Sequence, residues 1–212
     1  MKKVSKCTLL RLRPLLPPLS TRRTLCRAQS QRDRLHLIQI SLTLSDNAGN
    51  LPTLGTSNAF IWEFNFRDFD VARDAHTHDY VELLHCQGIY FEKNHDFGID
   101  SFRFAELMML SGLVCDNVVS WVTFHNAYNF EYLVKLLMHR ALPQELREFL
   151  RLVRVFLGDK VFDVKHLMRF CSNLHGGLDR VSQSLKVERA LGKSHQAGWH
   201  GVERSGLPFN WS

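Results

Sequence analysis

The chain has 212 residues, 45% of them hydrophobic, which suffices for one core of ordinary size, so a single domain is expected. Its formal net charge of +6 sits at one end: residues 1–34 hold ten of the 27 Lys and Arg but one acid, Asp33, leaving a net −3 on the remainder. A basic balance of this kind is no sign that the folded part grips nucleic acid. No run of about 18 apolar residues is available to span a membrane. The five scattered cysteines (Cys7, Cys26, Cys86, Cys115, Cys171) include no C-x-x-C pair, which argues against a zinc knuckle or a disulfide framework and fits reduced thiols.

In chain order, residues 1–34 come first as a basic leader, expected to be disordered. Its Arg- and Ser-rich composition matches an organelle transit peptide, but Pro14, Pro17 and Pro18 interrupt any amphipathic helix, so a basic tail with no address is the simpler reading. From Leu35 to Leu44, apolar and polar residues alternate as in a half-buried strand, and Phe60–Phe66 alternates again. The turn residues Asp46-Asn-Ala-Gly-Asn50 between them predict a long-looped hairpin. Asp79 with Glu82 has capping-box spacing ahead of a helix that Gly88 ends. Asp100 or Ser101 caps a helix over Phe102–Leu110, stopped by Gly112. Leu133, Leu136 and Leu137 share one face of a helix over Phe130–Arg140, and Pro143 opens another running to about Phe156. A short buried strand at Val161–Val164 precedes helical segments at Lys165–Cys171 and Leu178–Leu185. Strands first and then mostly helices indicate a mixed α/β domain.

Single motifs carry little chemistry. His76-Thr-His78-Asp79 has a metal-like look, but histidines two apart at a helix start read as a solvated turn. His125 reads as a satisfied histidine, and Phe64, Phe66 and Phe69 as core or sheet face rather than a base-stacking platform. No P-loop, Rossmann glycine pattern or nucleophile elbow is present.

A set of tags in fixed order says more. These are Phe64-Asn-Phe66, Ile99–Phe104 continuing to Leu107, Ser120-Trp-Val-Thr-Phe-His125, Tyr128 with Phe130 and Tyr132-Leu133, Phe162-Asp-Val-Lys165, Gly176-Gly-Leu178 and His195-Gln-Ala-Gly198. Together they resemble the Caf/Pop poly(A)-specific ribonucleases, the deadenylase subunit of the Ccr–Not complex, most closely the plant form. The likeness covers about Leu35 to Gly198, which makes residues 35–198 a partial deadenylase domain and residues 199–212 a divergent tail.

The resemblance implies a ribonuclease-H-like fold with exonuclease chemistry of the DEDD type. Four acids of such a site hold two divalent ions, Mg²⁺ by expectation, about 4 Å apart, which activate water and steady the leaving oxygen of the RNA. Two like charges so close need several negative oxygen ligands. The implied positions are an Asp-x-Glu pair on the first strand, an Asp at the start of the helix after the Phe-His tag, and an Asp five residues beyond the His of His-Gln-Ala-Gly. That His, here His195, is the implied general base.

This chain departs from the pattern at every metal position. Nothing in residues 1–34 reads as an apolar strand with Asp-x-Glu, so the fold is expected to be incomplete, lacking its first strand and its C-terminal elements. Asn129 and His200 stand where the other two acids belong. Glu131 is about 200° round a helix from Asn129 and faces away. Glu203 lies in sequence of no family character, and Asp163 matches a non-catalytic acid. Metal-dependent hydrolysis is therefore not expected, no RNA-binding residue is assigned, and the loss of an inner strand predicts a bare apolar edge and a marginal fold. The family's partners are poly(A) RNA and the Not-type scaffold and Ccr-type nuclease subunits; its setting is mRNA decay and transcription regulation in nucleus and cytoplasm, including decay bodies. A non-catalytic interaction protein and a decayed gene copy are the other readings of this chain.

Overall fold

The computed structural model describes residues 7–14, 37–74, 76–124 and 128–187. Alternation of apolar and polar residues builds the expected hairpin: β2 (Leu37–Ser45) and β3 (Trp62–Asn65) are antiparallel, with Ile40 opposite Phe64 and Leu42 opposite Trp62. Between them, the Asp46 carboxylate accepts hydrogen bonds from Ala48 N, Asn50 N and Asn50 Nδ2, which shapes the turn and holds its carboxyl below the usual value.

The main departure from expectation lies in the basic leader. Residues Cys7–Pro14 form a strand, β1, antiparallel to β2 and parallel to β4 (Ser120–Thr123). With β5 (Val161–Asp163) the sheet order is β3-β2-β1-β4-β5, so β1 is the central strand. The fold does not lack its first strand, and β2 is not a bare edge. The signal was present: Leu10-Arg11-Leu12-Arg13 alternates at period two. Pro14 has no N–H to give a ladder and stands at the strand's end, where the register shifts. Prolines that rule out a helix do not rule out a strand that stops at the first of them. The edges among the described residues are β3 and β5, both short, as sheets tolerate best. The expectation of missing C-terminal elements falls on residues 188–212, outside the described residues.

Seven α-helices lie among the described residues. They are α1 (His78–Cys86), α2 (Phe91–Phe97), α3 (Ser101–Leu110), α4 (Tyr128–Met138), α5 (Leu146–Leu157), α6 (Val164–Leu167), followed by a 3₁₀ turn at Met168–Phe170, and α7 (Leu178–Ser184). The capping box at Asp79 does not form: α1 starts two residues earlier, Thr77 is its N-cap, and Asp79 sits in the first turn, where a carboxylate still favours the helix. Helix α3 begins as expected. Asp100 accepts from Arg103 N at 2.9 Å, and Asp68 accepts from both Ser101 N and Ser101 Oγ at 3.0 Å. Gly98, between α2 and α3, is obligatory, because a Cβ there would meet Asn94 O and lie 2.8 Å from Arg67 N.

One face of the sheet presents Ile40, Leu42 and Trp121 to a core built with Phe104 and Met108 of α3, Leu133 and Val134 of α4 and Leu157 of α5. Phe64 and Phe66 stack edge-on against Phe104, at centroid distances of 5.0 and 5.3 Å, so these aromatics are core, as expected. Phe69 belongs to a second, smaller cluster with Ile38, Leu84 and Ile89. Strand alternation gives the opposite face polar residues in β2 and β3. Gln39 Nε2 donates to Asn65 Oδ1 at 2.8 Å and Ser41 Oγ to Glu63 Oε1 at 3.2 Å, so the buried Gln39 and Ser41 find partners across the strands.

Candidate metal centre

A two-metal site in this fold would stand where β1 and β4 run parallel and the chain leaves β4 for α4. The backbone for it is present: Thr8 pairs with Trp121, Leu9 with Val122, and α4 lies against β1. Its donors are not. The strand Cys7-Thr-Leu-Leu-Arg-Leu-Arg-Pro14 contains no Asp or Glu, and two of its residues are arginines. What the sequence lacks at this place is the pair of acids, not the strand that would carry them.

Asn129 is the second residue of α4 and is buried. An ionised carboxylate in that position would need a metal or a cation to offset its desolvation. An amide of nearly the same shape carries no charge and needs only hydrogen bonds.

Nearby acids serve the scaffold. Thr123, at the end of β4 and fully buried, donates its hydroxyl to Asp163 Oδ2 at 3.0 Å. Asp163 Oδ1 accepts from His166 N at 2.9 Å and so caps α6. One carboxylate thus ties β4 to β5 and starts the next helix, which occupies both of its oxygens. Glu131 lies two residues beyond Asn129, on another side of α4. His76 Nδ1 contacts Asp74 O at 2.9 Å, and exposed His78 pairs with Glu82 at 3.4 Å, so the two histidines do not converge. Among the described residues, no three His, Cys, Asp or Glu side chains are grouped to hold a metal ion. The described residues do not fit a two-metal site. His125, His195, His200 and Glu203 lie outside the described residues.

No family model matches the chain. Individual relatives do. It is 52% identical over 165 residues to the probable CCR4-associated factor 1 homolog 7 of Arabidopsis thaliana, covering 77% of this chain and 59% of the relative. It is 39% identical over 166 residues to the poly(A) ribonuclease pop2 of Schizosaccharomyces pombe, covering 78% of this chain and 48% of that protein. The chain thus spans roughly half to three fifths of the length of these curated relatives.

Among solved structures, S. pombe Pop2p in its Mg²⁺- and Mn²⁺-bound form superposes with a TM-score of 0.77 at 32% identity, over 93% of this chain and 78% of that one. Yeast CAF1, co-crystallised with the NOT1 MIF4G domain, gives 0.67 at 29% identity, over 86% of this chain and 69% of that one. Exonuclease I shares the fold alone, at 11% identity and a TM-score of 0.54. The architecture is that of the ribonuclease-H-like nucleases. Within that class, the chain belongs to the family of Pop2 and the CCR4-associated factor 1 proteins.

Proposed function

We propose that this chain takes part in the poly(A)-tail-shortening machinery of the Ccr–Not complex as a non-hydrolysing member of its deadenylase family. The observation that carries the reading is the central strand: β1 occupies the place of the metal-bearing strand without a carboxylate, and Asn129 removes a further charge. With those ligands gone, two divalent ions lack the negative oxygens that would hold them together. His195, left as a base, has no metal-activated water to act on. The kept fold favours a binding role, and the family resemblance supplies the partners: a Not-type scaffold, as in the relative co-crystallised with the NOT1 MIF4G domain, a Ccr-type nuclease, and poly(A) RNA. The same reading places the protein in nucleus and cytoplasm. A fluorescent fusion of the full chain tests this, and signal confined to an organelle would overturn it.

The direct test incubates the protein with Mg²⁺ or Mn²⁺ and a 5′-labelled oligo(A) tail, with Pop2 as the positive control. No shortening is expected. Laddered products that disappear in His195→Ala would overturn the proposal. A pull-down with a NOT1 MIF4G domain tests the binding half, and a chain that neither cuts nor binds is a decayed gene copy.

A further inference from the structure

Helix α5 carries an apolar stripe, Leu146-Leu150-Val153-Leu157, at helical i,i+4 and i,i+3 spacing. Its C-terminal half does what such a stripe is for: Val153 and Leu157 are buried in the main core. Its N-terminal half does not. Leu146 is 70% exposed and Leu150 54%, so two turns of the same stripe run past the core into water.

The flank of this overhang is basic. Arg147 and Arg151 are exposed, one turn apart, and neither makes an ion pair among the described residues. Glu148, one turn from Arg151, does not pair with it. On the same helix Arg154 is neutralised, with Nε 2.6 Å from Asp159 Oδ1. Like charges at i,i+4 destabilise the helix that carries them. An acidic neighbour would relieve that repulsion while covering the leucines.

We infer that the N-terminal half of α5 is a docking surface for an acidic amphipathic helix of a partner protein, its apolar residues against Leu146 and Leu150 and its carboxylates against Arg147 and Arg151. Helix-on-helix binding uses this pairing of i,i+4 apolar anchors with flanking charge. Single-stranded RNA would need stacking platforms, and leucines supply none. An overhang of two leucines is also short for a membrane-surface helix, which buries a long apolar face.

The test uses the full chain and a fluorescent helical peptide about 18 residues long, with leucines on one face flanked by glutamates. Anisotropy is read beside a scrambled peptide, a lysine-for-glutamate version and an oligo(U) of similar length. Saturable binding of the acidic amphipathic peptide alone is expected. That affinity should fall about tenfold or more in Arg147→Glu/Arg151→Glu and also in Leu146→Ser/Leu150→Ser, with unchanged circular dichroism. Equal binding of the scrambled peptide, indifference to both double variants, no binding, or oligo(U) held by the same arginines would each overturn the inference.

Discussion

The core face of the sheet and the end of the sheet where β1 meets α4 are built from neighbouring residues of the same strands, yet they answer to different constraints. On the core face, shape decides: Ile40, Leu42, Trp121, Leu133 and Leu157 fill one apolar volume and are held by packing. At the β1–α4 end, charge decides, because ionised oxygens persist there only beside a metal or a cation. Strand, register and helix start are all in place at that end, while among the described residues its carboxylates are not. Scaffold and chemistry can therefore part company, since the energy of this fold lies in the apolar face and the two-metal chemistry would lie in a few charges beside it.

The contrast can be broken by substitution. Leu133→Ala should have the largest effect, a loss of about 3 kcal/mol from a fully buried site, measured by urea unfolding. A much smaller loss would show that the core face is not the main source of stability. Asn129→Asp should come next, costing about 2 kcal/mol at neutral pH. Burial would raise the folded-state pKa of the new carboxyl, so the penalty should be absent at low pH and grow as pH rises through the ordinary Asp range. Recovery of that stability on adding Mg²⁺ would show that a metal can be held after all, and would break the contrast outright. Asp163→Ala should cost about 1 kcal/mol by removing the α6 cap and the Thr123 bond, without altering any response to Mg²⁺.

Asp46→Asn should show the smallest effect. Hydrogen bonds from the Asn50 side chain and backbone, then from Ala48 and Gly49, hold the Asp46 carboxyl below its usual value. A depressed pKa gives stability that is present above 3.8 and lost as pH falls through the lowered value. The variant should therefore flatten the acid limb of the thermal-unfolding profile and leave neutral pH nearly unchanged.

How much of this could be read in advance depended on whether a local signal had a rival. The β2–β3 hairpin and α3 were legible because alternation, the Asp100 cap and Gly112 all agree. Helix α2 was not, since Phe91-Glu-Lys-Asn-His-Asp-Phe97 is short, follows Tyr90 and has no side-chain cap. The start of α1 moved because Thr77 and Asp79 compete to begin it. Strand β1 was hidden by composition: its arginines and Pro14 resemble the basic, proline-broken stretch around it, and its partners lie far along the chain. At the candidate site, the place of Asn129 at a helix start was legible from its tag, whereas its burial and the structural duty of Asp163 were not, because Thr123 and His166 reach Asp163 from two different elements.

The position of β1 also bears on how the molecule is made. The central strand precedes all of its partners in the chain, and Cys7 must wait for Ser120 before its parallel pairing can close. Pairings so distant in sequence are slow to form, and unpaired strands invite aggregation in the interval. The same placement rules out one fate for the leader. A cut beyond Pro14 would take away the strand on which the whole sheet is hung, so removal of residues 1–34 and this fold exclude each other.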